Sequence, residues 1–299
     1  MKDGTAQGVA KIRFTESCLE PEERIFEDPY ASYFFAGSSI VAWMGNKLNV
    51  RLSDMMIVGM YHMLVGRTRI IDELVKSAIA DGATQYVILG AGYDSRAYRL
   101  SLPPSVKIFE VDQPEVQSLK LSKLAKVPDV PKVANLVHVP VDFNTQSLEE
   151  ELRKARGFDP TAKTVITLEG VSQYIPREAT IGTITAMDKL CGAGSTFFLS
   201  YADQNTLDNP SKVCGDGYVK PESVQWIAYL AAKSAGEPWI SYFHQSEIGE
   251  LFKSCSSFQL VSDISTDEVN TLYLEPVGRK VPSERLCMME RCAVAKKGQ

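Results

Sequence analysis

The stretch YVILGAGYDSR, residues 86–96, decides the fold of this chain. Its apolar, β-branched beginning ends abruptly in Gly-Ala-Gly, and a second apolar run follows at residues 106–112 and ends in acids. This order predicts a strand, a glycine turn, a short helix and a second strand that ends in the Asp112 carboxylate. Glycines let the backbone approach a ligand closely, and Asp112 can accept hydrogen bonds from two ribose hydroxyls. The pattern therefore indicates a site for an adenosine-containing cofactor.

The composition is typical of a soluble globular protein, with 44% apolar and 23% charged residues among 299. A chain of this length can bury one large core. The formal net charge of −5, with no basic cluster, gives no support to a nucleic-acid partner. The amino terminus lacks the apolar segment of a secretory signal, and no apolar run reaches membrane-spanning length. We therefore expect a cytoplasmic protein without a membrane or nucleic-acid partner.

The cysteines and histidines give no sign of a metal site. The six cysteines are scattered without a Cys-x-x-Cys pair, so we expect reduced thiols. The only histidines, His62, His138 and His244, lie at no ligand spacing from one another or from a cysteine.

Apolar runs alternate with helical patterns along most of the chain. This alternation predicts an α/β fold, with a doubly wound and mostly parallel sheet covered by helices on both faces. The predicted strands cover residues 85–89, 106–112, 136–142, 164–170, 196–200, 258–262 and 288–295. Pro140 lies inside the third of these strands, where its missing N–H weakens the prediction.

We predict a single domain in four parts. Residues 1–66 are rich in aromatic side chains and predict a helical cap, which packs on the sheet and, in a second interpretation, also closes over a ligand. Residues 67–202 form the cofactor-binding core. Residues 203–244 break the alternation with Pro, Gly and Asn and predict a substrate-lid insertion with one helix over 223–234. Residues 245–299 complete the sheet.

Glycines and acids fall at the ends of four consecutive predicted strands. The carboxyl ends of the strands of an open parallel sheet share one edge, where ligands bind. That edge collects Gly90 and Gly92 after strand one, Asp112 after strand two, Asp142 after strand three and Glu169 after strand four. Acids at three successive strand ends favour a ligand site over three separate solvated groups.

Each of these residues has an expected part in holding an adenosyl cofactor. Asp112 accepts from the ribose hydroxyls, and Asp142 addresses the adenine edge together with the Phe143 backbone and ring. Glu169 lies nearest the amino-acid end of the cofactor. Arg67, before the helix that leads to strand one, can pair with the cofactor carboxylate in a bidentate manner.

The glycine turn departs from the dinucleotide-binding fingerprint. Its third glycine is missing, and Asp94 stands close to the place of a pyrophosphate. A carboxylate there repels pyrophosphate but suits a cofactor with cationic groups, such as S-adenosylmethionine. This disfavours the main alternative from another class, an NAD(P)-dependent oxidoreductase. A cofactor-binding module without catalytic activity stays open.

Five sequence blocks stand in order along the chain: GRTRIID at 66–72, VILGAGYDSRAYRL at 87–100, FEVDQP at 109–114, VPVDF at 139–143 and LEGVSQYIP at 168–176. With DPYA at 28–31, they resemble the leucine carboxyl methyltransferase family, in particular its bacterial-type branch. The resemblance implies a seven-stranded class I methyltransferase sheet with an antiparallel last strand. It implies S-adenosylmethionine contacts at Arg67, Gly90, Asp112, Asp142, Phe143 and Glu169, and at an amino-terminal basic residue that Lys11 or Arg13 matches.

Methyl transfer needs an acceptor atom close to the methyl carbon and opposite the departing sulfur. A carboxylate acceptor is ionised at neutral pH and needs no general base, which is compatible with only three histidines. We therefore expect O-methylation of a carboxylate on a small molecule or peptide. Methylation of a phenol, alcohol or amine stays open. Tyr174, after strand four, and Tyr201, after strand five, are the candidate catalytic residues; the oligomeric state is not indicated.

Overall fold

The computed structural model describes residues 4–55, 58–142, 145–214 and 238–298. Its strands are β1 (Gln85–Leu89), β2 (Lys107–Asp112), β3 (Leu136–Pro140), β4 (Thr164–Leu168), β5 (Thr196–Ala202), β6 (Phe258–Ile264) and β7 (Glu290–Lys297). Its α-helices are α1 (Gly4–Ser17), α2 (Ser38–Asp54), α3 (Met60–Ala80), α4 (Arg96–Arg99), α5 (Pro114–Leu124), α6 (Leu148–Lys154), α7 (Arg177–Lys189), α8 (Asn205–Asp208), α9 (Gln245–Cys255) and α10 (Thr266–Val269).

The strands form one seven-stranded sheet in the order β3-β2-β1-β4-β5-β7-β6. The first five strands along the chain pair in parallel, whereas β7 runs antiparallel to both β5 and β6. The predicted α/β sheet with an antiparallel last strand is therefore confirmed. The strand order reverses between β1 and β4, and ligands of open α/β sheets bind outside the carboxyl ends of strands at such a reversal.

Both faces of the sheet are covered, which explains the continuous apolar runs in the sequence. Every residue of β1 is buried. Val87 and Leu89 belong to a cluster with residues of α7, and Tyr86 and Ile88 to a second cluster with residues of α3. Residues 86–89 of the strand therefore need largely apolar side chains at successive positions rather than at alternate ones, whereas the buried Gln85 is hydrogen-bonded to Asp159 and Thr164.

Pro140 is tolerated because β3 is the edge strand of the sheet. The Val141 N–H donates to the Asp112 carbonyl at 2.9 Å, so the nitrogen of Pro140 faces away from β2 and no sheet hydrogen bond is lost. β3 ends at Pro140, two residues before the predicted end. β7 begins at Glu290 instead of the predicted residue 288.

Helices α1, α2 and α3 pack on one another in the amino-terminal part of the chain. Phe34, just before α2, stacks on Tyr93 of the glycine turn with ring centroids 4.9 Å apart. This contact brings the amino-terminal helices next to the carboxyl ends of the strands. Trp43 of α2 is different, since 86% of it is exposed.

After β5 the chain leaves the sheet through α8 and returns before α9. Asp203 forms a parallel bridge with Phe243, and Cys214 an antiparallel bridge with Cys287. The helix predicted over 223–234 lies outside the described residues. Within the described ranges, no helix is both long enough and apolar enough to cross a membrane.

Candidate active site

The residues predicted from the strand ends, namely Gly90, Gly92, Asp112, Asp142 and Glu169, lie at the carboxyl edge of β1–β4 and are called the rim. Asp112 ends β2 and is tied directly to the glycine turn. The Gly92 N–H donates to its Oδ2 at 2.6 Å, and the Gln113 N–H donates to its Oδ1 at 2.7 Å. Burial raises the pKa of Asp112, while these two N–H groups oppose the rise. Each oxygen keeps lone-pair capacity for a ligand hydroxyl.

The two glycines of the turn are required for different reasons. Both have positive φ, +67° at Gly90 and +37° at Gly92. A Cβ on Gly90 would clash with Cγ2 of Val171, so this glycine allows the turns after β1 and β4 to pack closely. A Cβ on Gly92 would meet only the Gly90 carbonyl, at 3.8 Å, so the space beside Gly92 is open to a ligand.

Glu169 follows β4 and is held by two arginines. Its Oε1 accepts from Arg67 Nε at 2.9 Å, and its Oε2 accepts from Arg96 Nη1 at 2.6 Å. Burial opposes ionisation of this carboxyl, but Arg96 and Arg67 outweigh burial and lower its pKa to about 2. Glu169 is therefore an anion throughout the physiological pH range.

Arg67 was predicted to bind a cofactor carboxylate, and the structure gives it two protein carboxylates. Besides the bond to Glu169, its Nη1 donates to both oxygens of Glu290 at 2.6 and 2.7 Å. Its Nη2 makes no hydrogen bond within the described ranges and lies 3.5 Å from where a Cβ on Gly170 would be. Two N–H donors of Arg67 are thus left for a bound anion.

Arg96 connects Glu169 to the amino-terminal helices. Its Nε donates to Asp72 at 2.8 Å, and its Nη1 donates to Asp94 at 2.7 Å. Asp72 also accepts from both terminal nitrogens of Arg99, at 2.6 and 2.7 Å. Asp94 is thus paired with Arg96, a cation that it shares with Asp72 and Glu169, and its effect on a pyrophosphate stays a prediction.

Arg13 of α1 reaches the glycine turn, whereas the alternative, Lys11, has no hydrogen bond or ion pair of its side chain among the described contacts. Arg13 Nη2 donates to the Tyr93 carbonyl at 2.6 Å, and its Nε lies 3.0 Å from Asp28. Asp28 in turn accepts from the Ser95 hydroxyl at 2.7 Å. The structure therefore puts Arg13 beside the rim. Its contact with a cofactor stays a prediction.

These contacts form one buried charge network of nine residues: Arg13, Asp28, Arg67, Asp72, Asp94, Arg96, Arg99, Glu169 and Glu290. Four arginines and five carboxylates leave it with one net negative charge. Such a network is costly to desolvate and stable only when every charge is paired. It fixes the relative positions of α1, α3, α4, β4 and β7 around the rim.

Asp142 lies beyond β3 at the far end of the rim. Its Oδ2 accepts from the Thr145 hydroxyl at 2.8 Å, and its N–H donates to Gln146 at 2.8 Å. The side chain of Asp142 is half-buried. Phe143, predicted to cover the adenine, lies outside the described residues.

The two candidate catalytic tyrosines differ in placement. Tyr174 is half-buried in the turn after β4, where the Gly170 N–H donates to the Ser200 hydroxyl and the Ser172 hydroxyl to the Ser200 carbonyl. Tyr201 is fully buried, and its hydroxyl donates to Asp263 at 2.7 Å. A hydroxyl held inside the sheet in this way has a structural explanation, so the geometry favours Tyr174 over Tyr201.

The sequence is similar to those of known proteins. Residues 6–188 match the leucine carboxyl methyltransferase family. The chain belongs to this family. A Frankia alni protein named as a candidate S-adenosyl-L-methionine-dependent methyltransferase is 30% identical over 251 residues, 83% of this chain and 79% of that protein. A Mycolicibacterium smegmatis protein of the same description is 35% identical over 207 residues, 68% of each chain.

A solved structure shows the same fold. A duf574 family protein from Streptomyces avermitilis superposes with a TM-score of 0.55 at 16% identity and covers 96% of both chains. At this identity the likeness concerns the fold alone. The class I methyltransferase sheet of this leucine carboxyl methyltransferase family member is thus shown by topology and by comparison.

Sequence reasoning missed most of the charge network of this family member. Asp72, Arg96 and Arg99 lie inside the motif blocks at 66–72 and 87–100, so the motifs carried a signal that was not assigned a role. Glu290 had no such signal, because it lies 223 residues from Arg67 in sequence. Only the folded sheet brings the two together.

Proposed function

We propose that this S-adenosylmethionine-dependent methyltransferase transfers the methyl group to a carboxylate oxygen of a small molecule or peptide. Family membership supports methyl transfer itself. The observation that carries the finer proposal is the charge state of Glu169, the carboxylate expected nearest the amino-acid end of the cofactor: Arg96 and Arg67 outweigh burial and lower its pKa to about 2. A general base works best with a pKa near the operating pH.

The rim fits the adenosyl part of the cofactor. Asp112 is anchored by two backbone N–H groups and can accept from both ribose hydroxyls. The open space beside Gly92 lets the cofactor lie against the backbone of the turn. Asp142 is placed one strand further out, where the adenine edge is expected.

The charge network fits the amino-acid part of the cofactor. With its ammonium, sulfonium and carboxylate groups the cofactor carries one net positive charge, which complements the single net negative charge of the network. Arg67 offers its Nη2 donors to the carboxylate, and Glu169 can accept from the ammonium. When bound, the sulfonium supplies an activated methyl group, so the protein contributes chiefly binding and orientation.

A carboxylate acceptor is compatible with the ionised state of Glu169. Because Glu169 stays ionised and paired with two arginines, it cannot take a proton from an alcohol or phenol near neutral pH. A carboxylate acceptor is already ionised and asks for no base. Tyr174, held in place by the turn after β4, is proposed to contact the acceptor.

The experiment uses cofactor with a deuterated methyl group, purified protein and a metabolite extract, with mass spectrometry as the readout. We expect labelled products that lose their label as methanol in mild alkali, because methyl esters hydrolyse there. Label that survives alkali would instead assign O- or N-methylation of a phenol, alcohol or amine. No label in any product, with cofactor binding intact, would leave a non-catalytic binding module.

A matched pair of variants controls this experiment. Asp112→Ala removes the ribose acceptor and should abolish labelling along with cofactor binding. Asp267→Ala, at an exposed position of α10, should label as the unmodified protein does. Loss of labelling in both variants would mean that the assay reports protein handling rather than the rim.

A further inference from the structure

A cysteine in the segment after β5 faces a cysteine just before β7. Cys214 forms an antiparallel bridge with Cys287, which precedes β7. The Met288 N–H donates to the Val213 carbonyl at 2.6 Å, a bond that flanks the pair instead of joining it. The cysteines are therefore a non-hydrogen-bonded pair, for which the Cα atoms lie about 4.5 Å apart. That separation falls within the range of disulfide geometry.

The thiols are also in chemical contact. The Cys287 thiol donates to Met63 Sδ at 3.7 Å, and hydrogen bonding with its neighbour Cys287 lowers the pKa of Cys214, although burial opposes the effect. The pKa values of the other five cysteines are all raised, in Cys191, Cys255 and Cys292 chiefly by burial. Cys214 is thus the one of the six cysteines whose pKa is lowered, and thiolates are the form that peroxides oxidise.

The surroundings hold the pair in register. Both cysteines are buried within the apolar cluster that contains Val213, Leu286 and Met289. The Asp203 N–H donates to the Met289 carbonyl at 2.8 Å, which fixes the same two segments at a second point. Because little backbone movement is needed, a bond between the sulfurs would add little strain.

We propose that Cys214 and Cys287 are a peroxide-responsive pair that forms an intramolecular disulfide. Hydrogen peroxide oxidises the Cys214 sulfur to a sulfenic acid and is itself reduced to water. The Cys287 sulfur then attacks the sulfenic sulfur, a second water leaves, and the S–S bond forms. Two thiols and one peroxide thereby give one disulfide and two waters. The bond ties the segment after β5 to the approach to β7, the strand whose Glu290 holds Arg67.

The test exposes the reduced, full-length protein to hydrogen peroxide, alkylates the remaining thiols and maps tryptic peptides without reduction. Trypsin should place Cys214 in peptide 213–233, since Lys220 precedes a proline, and Cys287 in peptide 286–291. We expect these two peptides to be joined, with the loss of two hydrogen masses. Closing this long loop should raise the Tm by about 5 °C or more, and a thiol reductant should reverse the shift.

Variants separate this pair from general oxidation. Cys214→Ser and Cys287→Ser should each abolish the cross-link and the Tm shift, whereas Cys255→Ser should keep both. The proposal is overturned if peroxide joins other cysteines in equal yield, or if Cys214 proceeds to sulfinic acid without a cross-link. It is also overturned if the cross-link forms in the Cys255→Ser protein without any change of Tm. None of these readouts depends on methyl transfer.

Discussion

Asp112 and Glu169 are carboxylates on the same rim, yet they are held by opposite means. Asp112 is bound by backbone N–H groups of its own turn and of the glycine turn, and burial raises its pKa. Glu169 is bound by two arginine side chains that lower its pKa to about 2. The first carboxylate belongs to a local backbone feature, and the second to a network drawn from distant parts of the chain.

This difference separates ligand binding from stability. Asp112 gains little from its surroundings when ionised, so its charge is available to a ligand. Glu169 forms buried ion pairs with both Arg67 and Arg96. Replacing any one of these three side chains by an uncharged one leaves buried charges unpaired. Variants at the Asp112 end should therefore change affinity, and variants at the Glu169 end should first change the free energy of unfolding.

The largest effect is expected when Arg96 is replaced. Arg96→Met removes the one cation shared by Asp72, Asp94 and Glu169 and leaves three buried carboxylates short of a partner. We expect the free energy of unfolding to fall by about 3–5 kcal/mol, measured by urea denaturation. Arg153→Met, which breaks an exposed pair with Glu149 on α6, should change it by less than about 1 kcal/mol. Equal losses of free energy of unfolding in the two variants would show that the buried charge network stabilises the fold no more than an exposed ion pair does.

The free energy of unfolding at acidic pH should depend directly on the protonation of Glu169. The folded pKa of about 2 is below the usual 4.5, so ionised Glu169 stabilises the fold above about pH 4.5, and this is lost as the pH falls towards 2. The full contribution is on the order of 3 kcal/mol. Asp112 acts with the opposite sign, since its raised pKa makes ionisation cost stability.

The measurement is urea denaturation of the unmodified protein and of Glu169→Gln at a series of pH values from neutral to about 3. The glutamine variant should lose stability at neutral pH and show a flatter dependence on acid than the unmodified protein. Parallel curves for the two proteins would show that Glu169 does not titrate with a lowered pKa.

The sequence predicted the Asp112 end of the rim well because its determinants are local. A strand, a glycine turn and a strand-terminal acid all lie within the 28 residues from 85 to 112, and β1 has its predicted bounds. The Glu169 end was predicted only as far as the motifs reached. Arg67 and Glu169 were named, but their partner Glu290 enters through the pairing of β7 with β5, which no local pattern encodes.

The errors at the ends of elements have the same origin. The strand predicted over 136–142 ends at Pro140, since beyond it Asp142 turns to bond Thr145 and Gln146. The sequence also does not reveal the pairing of Asp94 with Arg96, because it depends on the backbone turn at the start of α4. Asp94 and Arg96 are two residues apart, but the sequence alone does not show that their side chains pair.

Asp112→Asn should weaken cofactor binding while leaving the fold nearly unchanged. Loss of charge-assisted hydrogen bonds to the ribose, worth about 1.5–3 kcal/mol, raises the Kd about 10- to 150-fold. The free energy of unfolding should change by about 1 kcal/mol or less, because one backbone N–H loses its acceptor. Titration calorimetry with S-adenosylmethionine measures the first quantity, with Asp267→Asn as the exposed control. A large loss of stability with unchanged Kd would reverse the assigned roles of the two carboxylates.

Glu290→Gln should have the smallest effect on cofactor affinity and the most specific one. The amide still accepts one hydrogen bond from Arg67 Nη1, and Glu169 still holds Arg67 Nε, so the guanidinium stays near its place with a weaker hold. We expect the Kd for S-adenosylmethionine to rise about 3- to 10-fold, which corresponds to about 1 kcal/mol. Glu284→Gln, at an exposed position before β7, serves as the control and should bind as the unmodified protein does.

The choice of ligand then locates the loss on the rim. 5′-Methylthioadenosine keeps the ribose and adenine but lacks the amino-acid part, so it cannot contact Arg67 through a carboxylate. Its affinity should be unchanged by Glu290→Gln and reduced by Asp112→Asn, because the second variant alters the ribose acceptor. If Glu290→Gln weakens both ligands equally, Arg67 acts by shaping the whole site through the network and not by binding the cofactor carboxylate.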